Sequence, residues 1–133
     1  MGEFMKGKIL VIEDNEQNRY LVTFLLEKAG YAVIPALDGK LGIELAGSIL
    51  PQLILLDIQL PTMDGYMVAR NLRNNQALKS VPIVAVTSYA MVGDREKALG
   101  AGCNGYLEKP INPETFVAEV ERFLKGTQGE NDL

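Results

Sequence analysis

The run Leu53-Ile54-Leu55-Leu56 contains no polar residue and stops at Asp57. A stretch this short and this apolar predicts a strand buried on both faces, which requires helices above and below it. Comparable runs recur at Lys8 to Ile12, Tyr31 to Pro35, Val81 to Val86 and Gly105 to Leu107. Amphipathic stretches follow each of them. The first starts at a cap on Asn15 or Asp14, runs through Arg19, Leu21, Phe24, Leu25 and Lys28, and stops at Gly30. The second covers Gly39 to Ser48. The third covers Tyr66 to Asn74, with Met67, Val68 and Leu72 as packing residues. The fourth covers Asp94 to Leu99, and the last covers Pro113 to Leu124 with Asn112 as its cap. Strand followed by helix, repeated along the whole chain, predicts an α/β fold with a doubly wound parallel sheet. Pro35 places the second strand at an edge.

The chain has 133 residues, enough for one domain. Its formal net charge of -4 argues against a nucleic-acid surface, which needs clustered Lys and Arg. No apolar run has the length of a membrane span, and the start lacks the pattern of a secretory signal. A single cysteine, Cys103, allows no intrachain disulfide and suits the cytoplasm, where it reads as a small buried hydrophobe. There is no histidine, so Ser–His and Cys–His catalysis, histidine metal sites and a phosphohistidine on this chain are all excluded. Residues 1–4 precede a second methionine, Met5, and are expected to be an appended remnant. The domain is expected over 5–125, with a polar, glycine-containing flexible tail over 126–133.

Polar chemistry collects where strands end. The first strand ends at Glu13 and Asp14, the third at Asp57, the fourth at Thr87 and Ser88, and the fifth near Lys109. In an open parallel sheet, ligands bind beyond the carboxyl ends of the strands at the switch point of strand order. With order 2-1-3-4-5, Glu13, Asp14 and Asp57 converge there, and Thr87 and Lys109 close the pocket from the other side. Carboxylates this close repel by roughly 4 kcal/mol per pair at an effective dielectric of about 20. Either their pKa values rise or a cation binds. The donors are hard oxygens, which favours magnesium or a similar ion over zinc or copper. Asp57 is then placed to accept a phosphoryl group as an aspartyl phosphate. The cation, the Lys109 ammonium and the Thr87 hydroxyl would share the phosphoryl oxygens. Each residue has a plainer reading: Asp14 as a helix cap, Lys109-Pro110 as a turn, Thr87 as an ordinary strand end. Their joint placement favours the functional one.

The stretches Ile9-Leu10-Val11-Ile12-Glu13-Asp14-Asn15, Leu55-Leu56-Asp57-Ile58-Gln59-Leu60-Pro61, Met63-Asp64-Gly65, Pro82-Ile83-Val84-Ala85-Val86-Thr87 and Gly105-Tyr106-Leu107-Glu108-Lys109-Pro110 resemble the receiver domains of two-component response regulators. The resemblance spans Lys8 to about Lys125 and implies a flavodoxin-like (βα)5 receiver fold. It implies that Asp57 takes phosphate from a phosphohistidine of a sensor histidine kinase or histidine phosphotransfer protein. It implies that Glu13, Asp14, Asp57 and the backbone carbonyl of Gln59 hold Mg2+, with Glu13 reaching it directly or through water. The Lys109-Pro110 bond is expected to be cis. Thr87 and Tyr106 form the implied switch, remodelling a face of the fourth helix, fifth strand and fifth helix for a downstream protein partner. The plainer reading of Tyr106 is a half-buried aromatic with its hydroxyl in water. Gln59 and Tyr89 are expected to tune the lifetime of the phosphorylated state rather than its formation.

Asn15, the stretch from Asp57 to Pro61 and Ala90-Met91 are similar to stand-alone receivers of the DivK kind and to receivers joined to hybrid kinases. The stand-alone form is expected, as a monomer or as a dimer formed on phosphorylation; a piece of a longer protein is the alternative. An apolar patch on the first helix would dock the phosphodonor, although core packing accounts for most of Leu21, Phe24 and Leu25. An aspartyl-phosphate-forming hydrolase would need a second Asp where Gln59 stands. A flavodoxin-like electron carrier would need a phosphate-cradling loop where Glu13-Asp14-Asn15-Glu16 stands.

Overall fold

The computed structural model describes residues 6–88 and 92–129, the last four of these by backbone alone. Its strands are β1 (Gly7–Ile12), β2 (Tyr31–Ala36), β3 (Leu53–Asp57), β4 (Ile83–Thr87) and β5 (Gly105–Glu108). Its helices are α1 (Glu16–Lys28), α2 (Gly39–Ile49), α3 (Gly65–Asn74), α4 (Asp94–Gly100) and α5 (Phe116–Gly129), with a 3-10 turn over Gln76–Leu78. The sheet has the order β2-β1-β3-β4-β5 and every pairing is parallel. The expected doubly wound topology is therefore observed.

Strand alternation divides each apolar run between two cores. Leu10, Ile12, Ile54, Leu56, Ile83 and Ala85 face one side, where they pack with Ala46 of α2, Val68 and Leu72 of α3, and Ala98 of α4. Ile9, Val11, Leu53, Leu55, Val84 and Val86 face the other, with Val22 and Leu26 of α1 and Phe116 and Val120 of α5. Cys103 is buried in the first core, as expected, and burial pushes its thiol up to about 11. β2 is an edge strand, in keeping with Pro35.

Local signals explain most boundaries. The Asn15 side chain, not that of Asp14, caps α1 by accepting from the Asn18 N–H at 2.8 Å. Gly30 follows α1 with a φ of 107, a left-handed conformation that favours glycine. Asp38 and Asp64 cap α2 and α3.

Three expectations need correction. Met67 and Phe24 are exposed, at 48% and 51%, and are not core residues. Their neighbours Val68, Leu72, Val22 and Leu26 fill the core-facing stripe instead. Leu21 and Leu25 are half-buried. The last helix begins at Phe116, because Asn112 first caps a lead-in turn. Its Oδ1 accepts from the Glu114 N–H at 3.0 Å and its carbonyl from the Phe116 N–H at 2.9 Å. That helix then continues to Gly129, so residues 126–129 of the expected tail have helical backbone. No proline interrupts the ladder there, and Gly126 weakens it by only about 1 kcal/mol.

Candidate functional site

The β2-β1-β3-β4-β5 order makes β1 and β3 neighbours whose connections leave toward opposite faces. Side chains just beyond their carboxyl ends share one crevice. Glu13, Asp14 and Asp57 each present a carboxylate oxygen there, all within 4.8 Å of one another. Glu13 and Asp57 are buried and Asp14 is exposed. Lys109 reaches in from beyond β5, its Nζ lying 3.1 Å from Glu13 Oε1 and 3.5 Å from Asp57 Oδ2. Its backbone N–H donates to the Thr87 carbonyl at 2.7 Å, which registers the lysine against the end of β4. The Lys109-Pro110 peptide is cis.

The loops are held by further polar contacts. Glu13 Oε2 accepts from the Asn15 N–H at 3.1 Å, and Asp57 Oδ1 accepts from the Gln59 N–H at 2.9 Å. The Ile58 N–H donates to the Val86 carbonyl, which continues the sheet one step past Asp57. Gly65 packs so closely that an added Cβ would lie 2.5 Å from Ile58 Cα. The start of α3 therefore bears directly on the loop that carries Gln59.

The Lys109 ammonium lies against two of the three carboxyl groups, those of Glu13 and Asp57. Burial first, then the hydrogen bond to Asp57 and its negative charge, raise the Glu13 carboxyl to about 7. The Asn15 N–H and the Lys109 ammonium oppose this and do not outweigh it. Glu13 in this pocket thus favours a proton or an added cation over bare negative charge. The donors are hard oxygens, so the pocket fits Mg2+.

Of the other predicted residues, Thr87 is buried at the end of β4, with its Oγ1 bonded to the Gln59 side chain. Tyr106 lies on β5 against the core shared with α2, α3 and α4. Its hydroxyl is buried with no partner among the described residues, so it is not in water as the plainer reading required. Tyr89 lies outside the described residues, as do Ala90 and Met91.

Two sets of contacts escaped the sequence. Arg19 Nη1 donates to the carbonyls of Glu13 at 3.0 Å and Asp14 at 3.3 Å, bracing the acidic loop. A cation one helical turn past the Asn15 cap was the available signal. The Gln59 carboxamide crosses to β4, contacting Thr87 Oγ1 at 2.8 Å and the Ser88 N–H at 3.0 Å. Nothing in one sequence announces a contact between residues that far apart in the chain.

Sheet, crevice and acid cluster together define a flavodoxin-like α/β domain with an acidic crevice suited to a hard cation, and comparison with known proteins identifies the family. The profile of the response regulator receiver domain matches residues 9–121, and the chain belongs to that family. It is 38% identical over 120 residues to the polar-differentiation response regulator DivK of Brucella ovis, covering 90% of this chain and 98% of the relative. Among solved structures it is similar to the receiver domain of sensor histidine kinase PA1611 from Pseudomonas aeruginosa. That match has a TM-score of 0.80 and 37% identity, over 92% of this chain and 98% of the other. That receiver was solved with a magnesium ion coordinated in its active site cleft. Chemotaxis protein CheY4 of Vibrio cholerae matches with a TM-score of 0.83 and 29% identity, over 87% of this chain and 97% of the other.

Proposed function

We propose that this receiver takes a phosphoryl group onto Asp57 from a phosphohistidine of a sensor histidine kinase or histidine phosphotransfer protein, in the cytoplasm. The observation that carries the reading is the packing of Glu13, Asp14 and Asp57 within 4.8 Å, with the Lys109 ammonium 3.5 Å from Asp57. In the transfer, an Asp57 carboxylate oxygen forms a bond to phosphorus as the donor's P–N bond breaks. The imidazole nitrogen of the donor leaves with a proton from solvent. Little covalent assistance is needed; positioning and charge neutralisation supply most of the catalysis.

Each residue then has a task. Glu13, Asp14, Asp57 and the Gln59 carbonyl would hold Mg2+. Bound there, the cation would neutralise charge on the phosphoryl oxygens. The Gln59 N–H keeps the Asp57 carboxylate oriented through Oδ1. The Lys109 ammonium is placed to pair with a phosphoryl oxygen, and the Thr87 hydroxyl to donate to another. Movement of Thr87, with the Tyr106 ring following, would alter the face formed by α4, β5 and α5 and change its fit to a protein partner. The chemistry is the same for a free-standing receiver and for one joined to a kinase.

Incubation with a small phosphodonor and Mg2+, followed by intact mass measurement, tests this. One phosphoryl group should be added to the wild-type chain and none to Asp57→Asn. No addition, or addition that survives the substitution, overturns the reading.

A further inference from the structure

The end of the sheet opposite the acidic crevice holds a second concavity. It is a cleft of about 490 Å3, bounded by the residues just before β1, β3 and β4 and by the later part of α5. Pro51 and Pro82 are buried there and Val81 and Leu124 half-buried, while Lys6 and Lys125 are exposed. That size, and an apolar lining with few polar groups, suit a small organic ligand. The walls are already fixed by the sheet. The Gln52 N–H donates to the Lys8 carbonyl at 2.9 Å, the Ile54 N–H to the Pro82 carbonyl at 2.9 Å, and the Lys6 N–H to the Gly30 carbonyl at 3.2 Å. A ligand therefore has little chain to order on entering.

The charge of the cleft is one-sided. Two ammonium groups line it and, among the described residues, no carboxylate does. The neighbouring Glu121 answers only part of this: its Oε2 lies 3.4 Å from Lys6 Nζ and already accepts from the Tyr31 hydroxyl at 2.8 Å. Lys125 has no ion pair among the described residues. Lys8 and Lys79, both exposed, add positive charge at the same end of the strands. Glu13, Asp14 and Asp57 gather negative charge at the other end. The field of the molecule thus draws an anion to this cleft and away from the crevice. We infer that the cleft binds a small organic anion, with its carboxylate or phosphate head between Lys6 and Lys125 and its apolar body against Pro51, Val81, Pro82 and Leu124. The Ser80 hydroxyl and the Gln52 carboxamide, which also line the cleft, offer further donors to the head. Such a ligand would tie α5 to the starts of β3 and β4. It needs no phosphoryl transfer at Asp57.

The test titrates the full chain, without Mg2+ or phosphodonor, with 1-naphthyl phosphate and with 1-naphthoate, following backbone amide shifts by NMR. Both should saturate with a Kd of about 1 mM or tighter, and the tighter of the two identifies the preferred head. The largest shifts should fall at Gln52, Ser80, Val81, Leu124 and Lys125. Lys6→Gln and Lys125→Gln should each weaken binding about five- to tenfold, while Lys40→Gln on α2 leaves it unchanged. Uncharged 1-naphthol and inorganic phosphate should each bind at least about tenfold more weakly than naphthyl phosphate. Shifts that stay linear to about 10 mM, shifts centred elsewhere, or affinity indifferent to both lysines overturn the inference. Inorganic phosphate binding as tightly as naphthyl phosphate overturns it too, since the apolar wall then contributes nothing. If triglutamate shifts the same amides at lower concentration than either naphthyl anion, the cleft receives an acidic chain segment and the inference falls.

Discussion

Glu13 sits where two requirements conflict. It is buried beside Asp57, which favours its protonated form, yet the proposed function needs its carboxylate for a cation. The sign of the resulting stability effect follows from the raised pKa. A folded-state value of about 7 against an ordinary 4.5 means that its contribution is fully present below the lower value. It is lost as pH rises through the upper one. Glu13→Gln, isosteric and neutral, should therefore raise the urea midpoint of the cation-free protein at alkaline pH and lose that advantage in acid. The same substitution should weaken Mg2+ binding, by about tenfold or more, in a calorimetric titration. Opposite signs for stability and binding would be the mark of a residue held in place for its ligand. The acid positions themselves were legible in the sequence, because Glu13 and Asp57 directly follow apolar runs and Asp14 adjoins Glu13. Their burial, and the contest between Asp57 and Lys109 for Glu13, depend on spatial neighbours from three strands and were not.

At the level of elements, the contact between Gly65 and Ile58 is the most exacting. A methyl group at Gly65 would meet main-chain atoms of Ile58 at 2.5 to 2.9 Å, and backbone cannot rotate aside as a side chain can. Gly65→Ala should displace the start of α3 or the loop carrying Gln59, costing about 1–3 kcal/mol in chemical denaturation. It should also slow phosphorylation of Asp57 by a small donor, since that loop orients the carboxylate. A second tie is Arg73 of α3. It donates to the carbonyls of Gly102 and Leu78 at 2.8 Å each, so one guanidinium joins α3 to the turn before β5. Strands, helix count and caps were readable from periodicity and from Asn, Asp, Gly and Pro at the boundaries. The orientation of single helix residues was less so. Phe24 and Met67 look like core by composition, but neighbours one or two positions away take the inward stripe.

Across the whole molecule, α5 is fastened to the end of the sheet opposite the site. The Tyr31 hydroxyl of β2 donates to Glu121 Oε2 at 2.8 Å, and Lys6 Nζ lies 3.4 Å from the same oxygen. Burial, then the hydrogen bond to Glu121 and its charge, raise the Tyr31 phenol to about 12, while that same hydrogen bond lowers the Glu121 carboxyl. The Tyr31 contribution is thus present below the ordinary tyrosine value of 10 and lost as pH rises toward 12. The Glu121 contribution is lost instead as pH falls through its depressed value. Tyr31→Phe should flatten both limbs of a stability–pH profile measured by thermal unfolding. Topology was legible because parallel, both-face-covered strands leave few windings open. This far-end fastening was not, since it joins residues 90 positions apart.

Pro35 lies on the edge strand, and the pattern of pairing says which way it points. The Ala36 carbonyl accepts from the Glu13 N–H, so Ala36 faces β1 and its neighbour Pro35 faces the open side. The missing N–H therefore falls on the free edge. A partner adding a strand there would find a rung absent, and β5 at the other margin offers only four residues, Gly105–Glu108. The sheet is poorly suited to being lengthened sideways by another chain, which leaves recognition of this molecule to the side chains of its helices and loops.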